Sequence, residues 1–162
     1  MYIQDPERAK IMEALIELGH GASDIMMHYW RNDPQITIKG DGSPLTIADS
    51  EISDLLVNTI PGAFPQYGLL TEEVFHAAEK RKELEHFNVE RLVKQGVFIF
   101  DEIDGTREFS NGSLDFCFEG AFTQNGEAIM GIIAEPQYKR MIVASKGDGA
   151  YIITKEGRME VP

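Results

Sequence analysis

Residues 100–109 read FDEIDGTREF, in which Asp101, Glu102 and Asp104 set three carboxylates into four positions ahead of a Gly105-Thr106 turn. Like charges this close repel, so folding alone gives no reason to place them at the end of the apolar run 97–100. Two further acidic stations lie upstream, Asp49 and the pair Glu72-Glu73. Hard divalent cations such as Mg²⁺ take oxygen ligands, and carboxylates gathered from separate elements supply them. A bound cation would also relieve the repulsion. Gly105-Thr106 adds small residues with free backbone N–H groups, which cradle phosphate well, especially where a helix begins. Carboxylates, cation and amide groups together suit metal-assisted attack of water on a phosphate ester. Singly, each station has a plainer explanation. Asp49 suits a helix cap, Glu72-Glu73 a charged surface, and Asp101 with Asp104 an Asx-type turn. The ordered set is what points to a site.

These residues must be positioned by flanking elements. Ile11, Leu15, Leu18, Ala22, Ile25 and Tyr29 step by threes and fours, so one helix is expected over residues 6–31, opened by Asp5-Pro6 and weakest at Gly19 and Gly21. NDPQ (32–35) ends it, and ITIKGDGSPLT reads as an extended piece. Ala48, Ile52, Leu55, Leu56 and Ile60 mark the face of a second helix that Pro61-Gly62 closes. FPQYGLL reads as a short buried strand, and the charged stretch 76–95 as an exposed helix or excursion. Strands are expected at 97–100, 114–123, 128–135, 140–145 and 150–154, with turns at Asn125-Gly126 and Gly147-Asp148-Gly149. Two helices followed by hairpin-linked strands give an α+β fold, helices on one face of an antiparallel sheet, in a single domain over 1–162.

The chain has 162 residues, 43% hydrophobic, with formal charge −12. That balance argues against nucleic-acid polymers and anionic membranes as partners and suits a protein that recruits cations. One cysteine, Cys117, excludes an intrachain disulfide. No signal pattern and no long apolar run stand out, so the cytoplasm is the expected compartment. Cys117 between Phe116 and Phe118 reads as strand packing, Lys39 as a surface lysine, and the four histidines lack a metal-ligand arrangement.

DGT after an apolar strand resembles the haloacid-dehalogenase-like phosphatases, whose D-x-D-G-T begins with a nucleophilic Asp. Glu102 stands at that position here, and about a hundred residues precede the motif, so the match fails. A second resemblance covers nearly the whole chain. KGDGSPLTIAD (39–49), GLLTEEV (68–74) and FDEIDGTREF (100–109) are similar to the N-terminal half of the inositol monophosphatase superfamily, with its K-x-D-x-S-P-x-T-x-x-D, E-E and D-P-[IL]-D-G-T motifs. The resemblance implies a Mg²⁺-dependent phosphomonoesterase acting on a small phosphorylated substrate. By matching position, Glu72, Asp101 and the carbonyl of Ile103 bind one metal, Asp104 joins Asp101 at a second, and Glu72 also serves an outer ion. Thr106, linked to Asp49, positions or deprotonates the attacking water, and the N–H groups of Gly105 and Thr106 hold the phosphate. Glu73 stays a surface acid. TREF and KGDGSPLT resemble the 3′(2′),5′-bisphosphate nucleotidase branch more than the inositol branch.

Two departures from the family pattern stand out. Glu102 replaces its proline, either as an outward-pointing side chain or as an extra ligand. The family's second, α/β half with its W-D-x-A-A-G-type motif has no counterpart: Trp30 is followed by Arg31 and suits core packing, and Asp148 suits a tight turn. The alternative expectation is therefore a half-domain that binds metal without turnover, exposing an apolar sheet face that favours homo-oligomers or a partner.

Overall fold

The computed structural model describes residues 3–32, 35–40, 42, 44–73 and 95–161. The first helix, α1 (Pro6–Tyr29), starts as expected: the Asp5 carboxylate accepts from the N–H groups of Glu7 and Arg8, and Pro6 needs no donor partner there. Its buried face carries Ile11, Leu15, Leu18, Ala22 and Met26. A two-stranded antiparallel ribbon, β1 (Thr37–Ile38) and β2 (Pro44–Leu45), leads into α2 (Ile47–Ala63). Pro61 lies within the last turn of α2 and does not stop it; the helix ends at Phe64, whose N–H reaches the Ile60 carbonyl.

Seven strands follow: β3 (Gly68–Thr71), β4 (Val97–Asp104), β5 (Cys117–Gln124), β6 (Glu127–Glu135), β7 (Arg140–Ser145), β8 (Gly149–Thr154) and β9 (Gly157–Glu160). They form one sheet in chain order. The α+β architecture holds, with both helices against the sheet. One pairing departs from the antiparallel expectation: β3 runs parallel to β4, while every later pair is antiparallel. The sequence joining β3 to β4 is long enough for the crossover that a parallel pair requires. The charged stretch expected there lies, up to residue 94, outside the described residues. Strand β4 is also longer than the apolar run suggested, continuing through the acidic residues to Asp104.

The core lies between the helices and the sheet. Phe98, Phe100, Phe118 and Phe122 build its aromatic layer, with neighbouring ring centroids 5.0–6.2 Å apart. Trp30 closes one edge, its indole N–H donating to the Ser113 carbonyl at 3.0 Å. No helix among the described residues is long and apolar enough to cross a membrane.

Candidate metal centre

Strand geometry assembles the acidic stations. Parallel pairing of β3 with β4 sets Thr71 opposite Phe100, which brings the next residues, Glu72 and Asp101, side by side at the same end of the sheet. On the other flank of β4, Asp101 pairs with Glu119 and Asp104 with Cys117. Three steps on one strand thus match two on the other, so β4 carries a bulge. In a regular strand residues three apart face opposite ways. The bulge cancels that inversion and brings Asp101 and Asp104 to the face of Glu119 and Cys117. A short helix, α3 (Thr106–Ser110), begins immediately after, with Gly105 in the left-handed conformation at φ +83°.

Asp101 shows what the clustering costs. Burial, then the charge and hydrogen bond of Glu72, then Asp104, push its pKa from an ordinary 3.8 up to about 7. Its Oδ1 is buried without a hydrogen-bond partner. An oxygen-only group of mutually repelling carboxylates, one with an orphaned oxygen, fits a hard divalent cation.

Asp49 sits inside the first turn of α2 in a reciprocal capping box. Its Oδ2 accepts from the backbone N–H of Thr46 at 2.8 Å and from the Thr46 hydroxyl at 2.5 Å. The cap explanation therefore applies. Burial raises its pKa, opposed by those Thr46 bonds. Its other oxygen lies 3.4 Å from the Thr106 hydroxyl, which also reaches the Ile103 carbonyl at 2.8 Å. Thr106 thus joins the N-terminus of α2 to the turn after β4.

Three residues differ from expectation. Lys39 is not a surface lysine: its side chain is 8% exposed, and its ammonium donates to Glu72 at 2.9 Å and to Glu73 at 2.5 Å. Burial works to lower its pKa, but the hydrogen bonds to Glu73 and Glu72 outweigh this and raise it. Glu73 belongs to the same cluster and not to a plain charged surface. Glu102 does not point outward; it is 1% exposed. Cys117 packs beside acids as well as in the strand, its thiol facing Asp104 and Glu119, with which it forms a compact set of possible metal donors. Burial and then those carboxylates push its pKa up to about 12, so it stays protonated at neutral pH, in keeping with a non-nucleophilic role. Period-two alternation with Phe116 and Phe118 marked Cys117 and Glu119 as sharing a face, but only the strand register shows that face to be the one carrying Asp101.

Asp101 and Glu119 border a furrow on the outer face of the sheet, lined by Ile99, Ala121, Gly131, Ile133, Ile142 and Ala144. The site therefore opens onto the sheet face opposite the helices.

The inositol monophosphatase family model matches residues 7–161. The chain belongs to that family. Among curated relatives, the 3′(2′),5′-bisphosphate nucleotidase CysQ of Aggregatibacter actinomycetemcomitans is 24% identical over 141 residues, 87% of this chain and 49% of the relative. The fructose-1,6-bisphosphatase/inositol-1-monophosphatase of Thermotoga maritima is 27% identical over 128 residues, 78% of this chain and 44% of the relative. A staphylococcal inositol monophosphatase-1 structure superposes with a TM-score of 0.72 at 18% identity, over 92% of this chain and 52% of that one, which establishes the shared fold. The chain spans about half the length of the curated relatives it matches.

Proposed function

We propose that this chain carries the metal- and phosphate-holding part of a Mg²⁺-dependent phosphomonoesterase. The observation that carries the reading is the bulge in β4, which gathers Asp101 and Asp104 onto one face beside Glu72 while Thr106 reaches back to Asp49. Glu72, Asp101, Asp104 and the Ile103 carbonyl would hold the metal. Bound there, Mg²⁺ supplies a Lewis acid that polarises the phosphoryl oxygen and lowers the pKa of water. Thr106 has one hydroxyl proton, and Asp49 Oδ1 offers an acceptor for it. With that proton directed to Asp49, the hydroxyl oxygen is free to accept from, and so orient, an attacking water. The N–H groups of Gly105 and Thr106 would hold the phosphate.

The preferred substrate is a 3′(2′),5′-bisphosphate nucleotide, supported by the TREF sequence and the similarity to CysQ, with an inositol monophosphate second. A cytoplasmic setting is the matching compartment. Phosphate release from adenosine 3′,5′-bisphosphate should require Mg²⁺, exceed release from inositol 1-phosphate, and fall about 100-fold or more in Asp104→Asn, the scale set by several kcal/mol of metal assistance. Undiminished release in excess chelator overturns the reading.

A second reading is supported by the half-length match and by Leu70, Ile99 and Ile133 exposed on the outer sheet face. On it, the chain binds metal but turns over only when a second copy or a complementary α/β half covers that face. Calorimetric Mg²⁺ binding without hydrolysis, together with self-association in sedimentation, is its expected signature. Turnover by the monomer rules it out.

A further inference from the structure

Strand β9 (Gly157–Glu160) lies at one end of the sheet, exposed along its length, and among the described residues no strand pairs with its outer side. The hydrogen-bond phase of its inner side is fixed. The Val161 N–H donates to the Ala150 carbonyl at 2.9 Å, continuing the register in which Tyr151 opposes Glu160. In an antiparallel ladder, alternate residues turn both backbone groups towards the same neighbour. Residues 157, 159 and 161 therefore face β8, while Arg158 and Glu160 aim their N–H and C=O groups away from the sheet. The side chains divide in the same rhythm. Arg158 and Glu160 stand opposite Ile153 and Tyr151 on the helix side; Met159 stands opposite Ile152, which opposes Ile142 of the outer furrow. Met159 thus ends an apolar row on the outer face, and it is 63% exposed. Unpaired backbone groups along such an edge are a template for a strand of another chain.

We infer that β9 pairs antiparallel with β9 of a second copy of this chain, about a two-fold axis through Met159. A symmetric register must oppose outward-facing residues, so it sets Arg158 against Arg158, Glu160 against Glu160, or Arg158 against Glu160. The first two bring like charges together, and the third brings opposite charges together on both sides of the axis. In that register each Arg158–Glu160 pair exchanges both of its backbone hydrogen bonds. Met159 meets Met159 of the partner subunit across a non-hydrogen-bonded pair, where side chains approach most closely. Val161 falls opposite Gly157 of the partner subunit, which has no side chain to obstruct it. Charges on an edge strand ordinarily discourage pairing; placed as Arg-Met-Glu they select one register. The contact is isologous and closed, so it yields a dimer and not a fibre. It uses the sheet edge, not the outer face or the metal centre, so it stands or falls independently of the activity proposed above.

Sedimentation velocity of the full chain over a concentration series tests the inference, with far-ultraviolet circular dichroism to check that each variant is folded. The unaltered chain should show a reversible monomer–dimer equilibrium. Arg158→Glu or Glu160→Arg replaces both attractive pairs by like-charge pairs and should weaken the dimer about tenfold or more, whereas the double exchange should restore it to within about threefold. Glu160→Pro removes an N–H that faces the free edge and none that bonds to β8, so the hairpin should survive and the dimer should not. Mild oxidation should trap Met159→Cys as a disulfide-linked dimer beyond any linkage seen in the unaltered chain, since facing Cα atoms in such a pair lie about 4.5 Å apart. Arg158→Cys, which meets Glu160, should not be trapped. A chain that stays monomeric throughout, or a dimer that tolerates the single reversals and Glu160→Pro, overturns the inference. So does a double exchange that is folded but fails to restore the dimer.

Discussion

Asp101→Asn should make the metal-free protein more stable at pH 8 while removing most of its stabilisation by Mg²⁺. The two effects have opposite signs because they come from one carboxylate. In the metal-free fold its pKa stands near 7 against an ordinary 3.8, owing to burial and to Glu72 and Asp104. Between these values the folded chain holds a proton that the unfolded chain has released, so stability falls as pH rises through this window and levels off above it. Asn carries no charge and escapes the penalty, worth about 1 kcal/mol once screening at this part-exposed position is counted. Asp49 and Glu102 are raised in the same direction, so a smaller slope remains. The affinity for Mg²⁺ should drop by more than about 100-fold, since even groups one shell beyond the ligands cost about 10–100-fold. Urea denaturation at pH 5.5 and 8.0, with chelator and with Mg²⁺, reads both effects. An Asn variant that is less stable at pH 8 without metal, or that gains as much from Mg²⁺ as the unaltered chain, contradicts this account.

The same residues show what can be read from a sequence. The apolar spacing of both helices is a local property, and each packs on the face its periodicity marks. The acidic stations were legible as types in order, because each lies on or beside a recognisable strand, turn or cap. Their juxtaposition was not. It depends on the parallel pairing of β3 with β4 and on the bulge in β4, and neither leaves a local signature.

Lys39 illustrates the limit most plainly. Its partner Glu72 lies 33 positions away, and an isolated lysine in a Gly-containing stretch reads as solvated. Glu102, expected to point outward or to act as an extra ligand, is different, because the alternation Phe98, Phe100, Glu102 is a local signal for burial. Its charge argued the other way, and the fold resolved the conflict in favour of alternation. Local rules that disagree in this manner are expected where a chain serves function over packing.

Gly105→Ala should cost about 2–5 kcal/mol, combining the strain of a left-handed alanine with overpacking against fixed atoms. At φ +83° an added Cβ would lie 2.4 Å from the Asp115 carbonyl oxygen and 3.2 Å from the Phe116 Cα. Both are backbone atoms, so no side-chain rotation relieves the contact. Phe116 is also held from behind, its ring 5.0 Å from that of Phe109 and 5.8 Å from that of Trp30. Retreat of residues 115–116 would disturb this aromatic edge. Retreat of the turn itself would pull Thr106 from Asp49 and Ile103, so stability and site geometry should fail together. Against a typical domain stability of about 5–15 kcal/mol the loss is severe. Gly112→Ala provides the comparison: its φ of +71° is similarly left-handed, but the nearest atom is the flexible Arg31 Cγ at 3.5 Å. It should cost only the conformational strain, about 1–2 kcal/mol. Chemical denaturation of the two variants separates strain from collision. Equal losses would mean that the approach of Asp115 to the turn is soft, and that the close fit of the glycine does not hold β4 and the Thr106 helix in register.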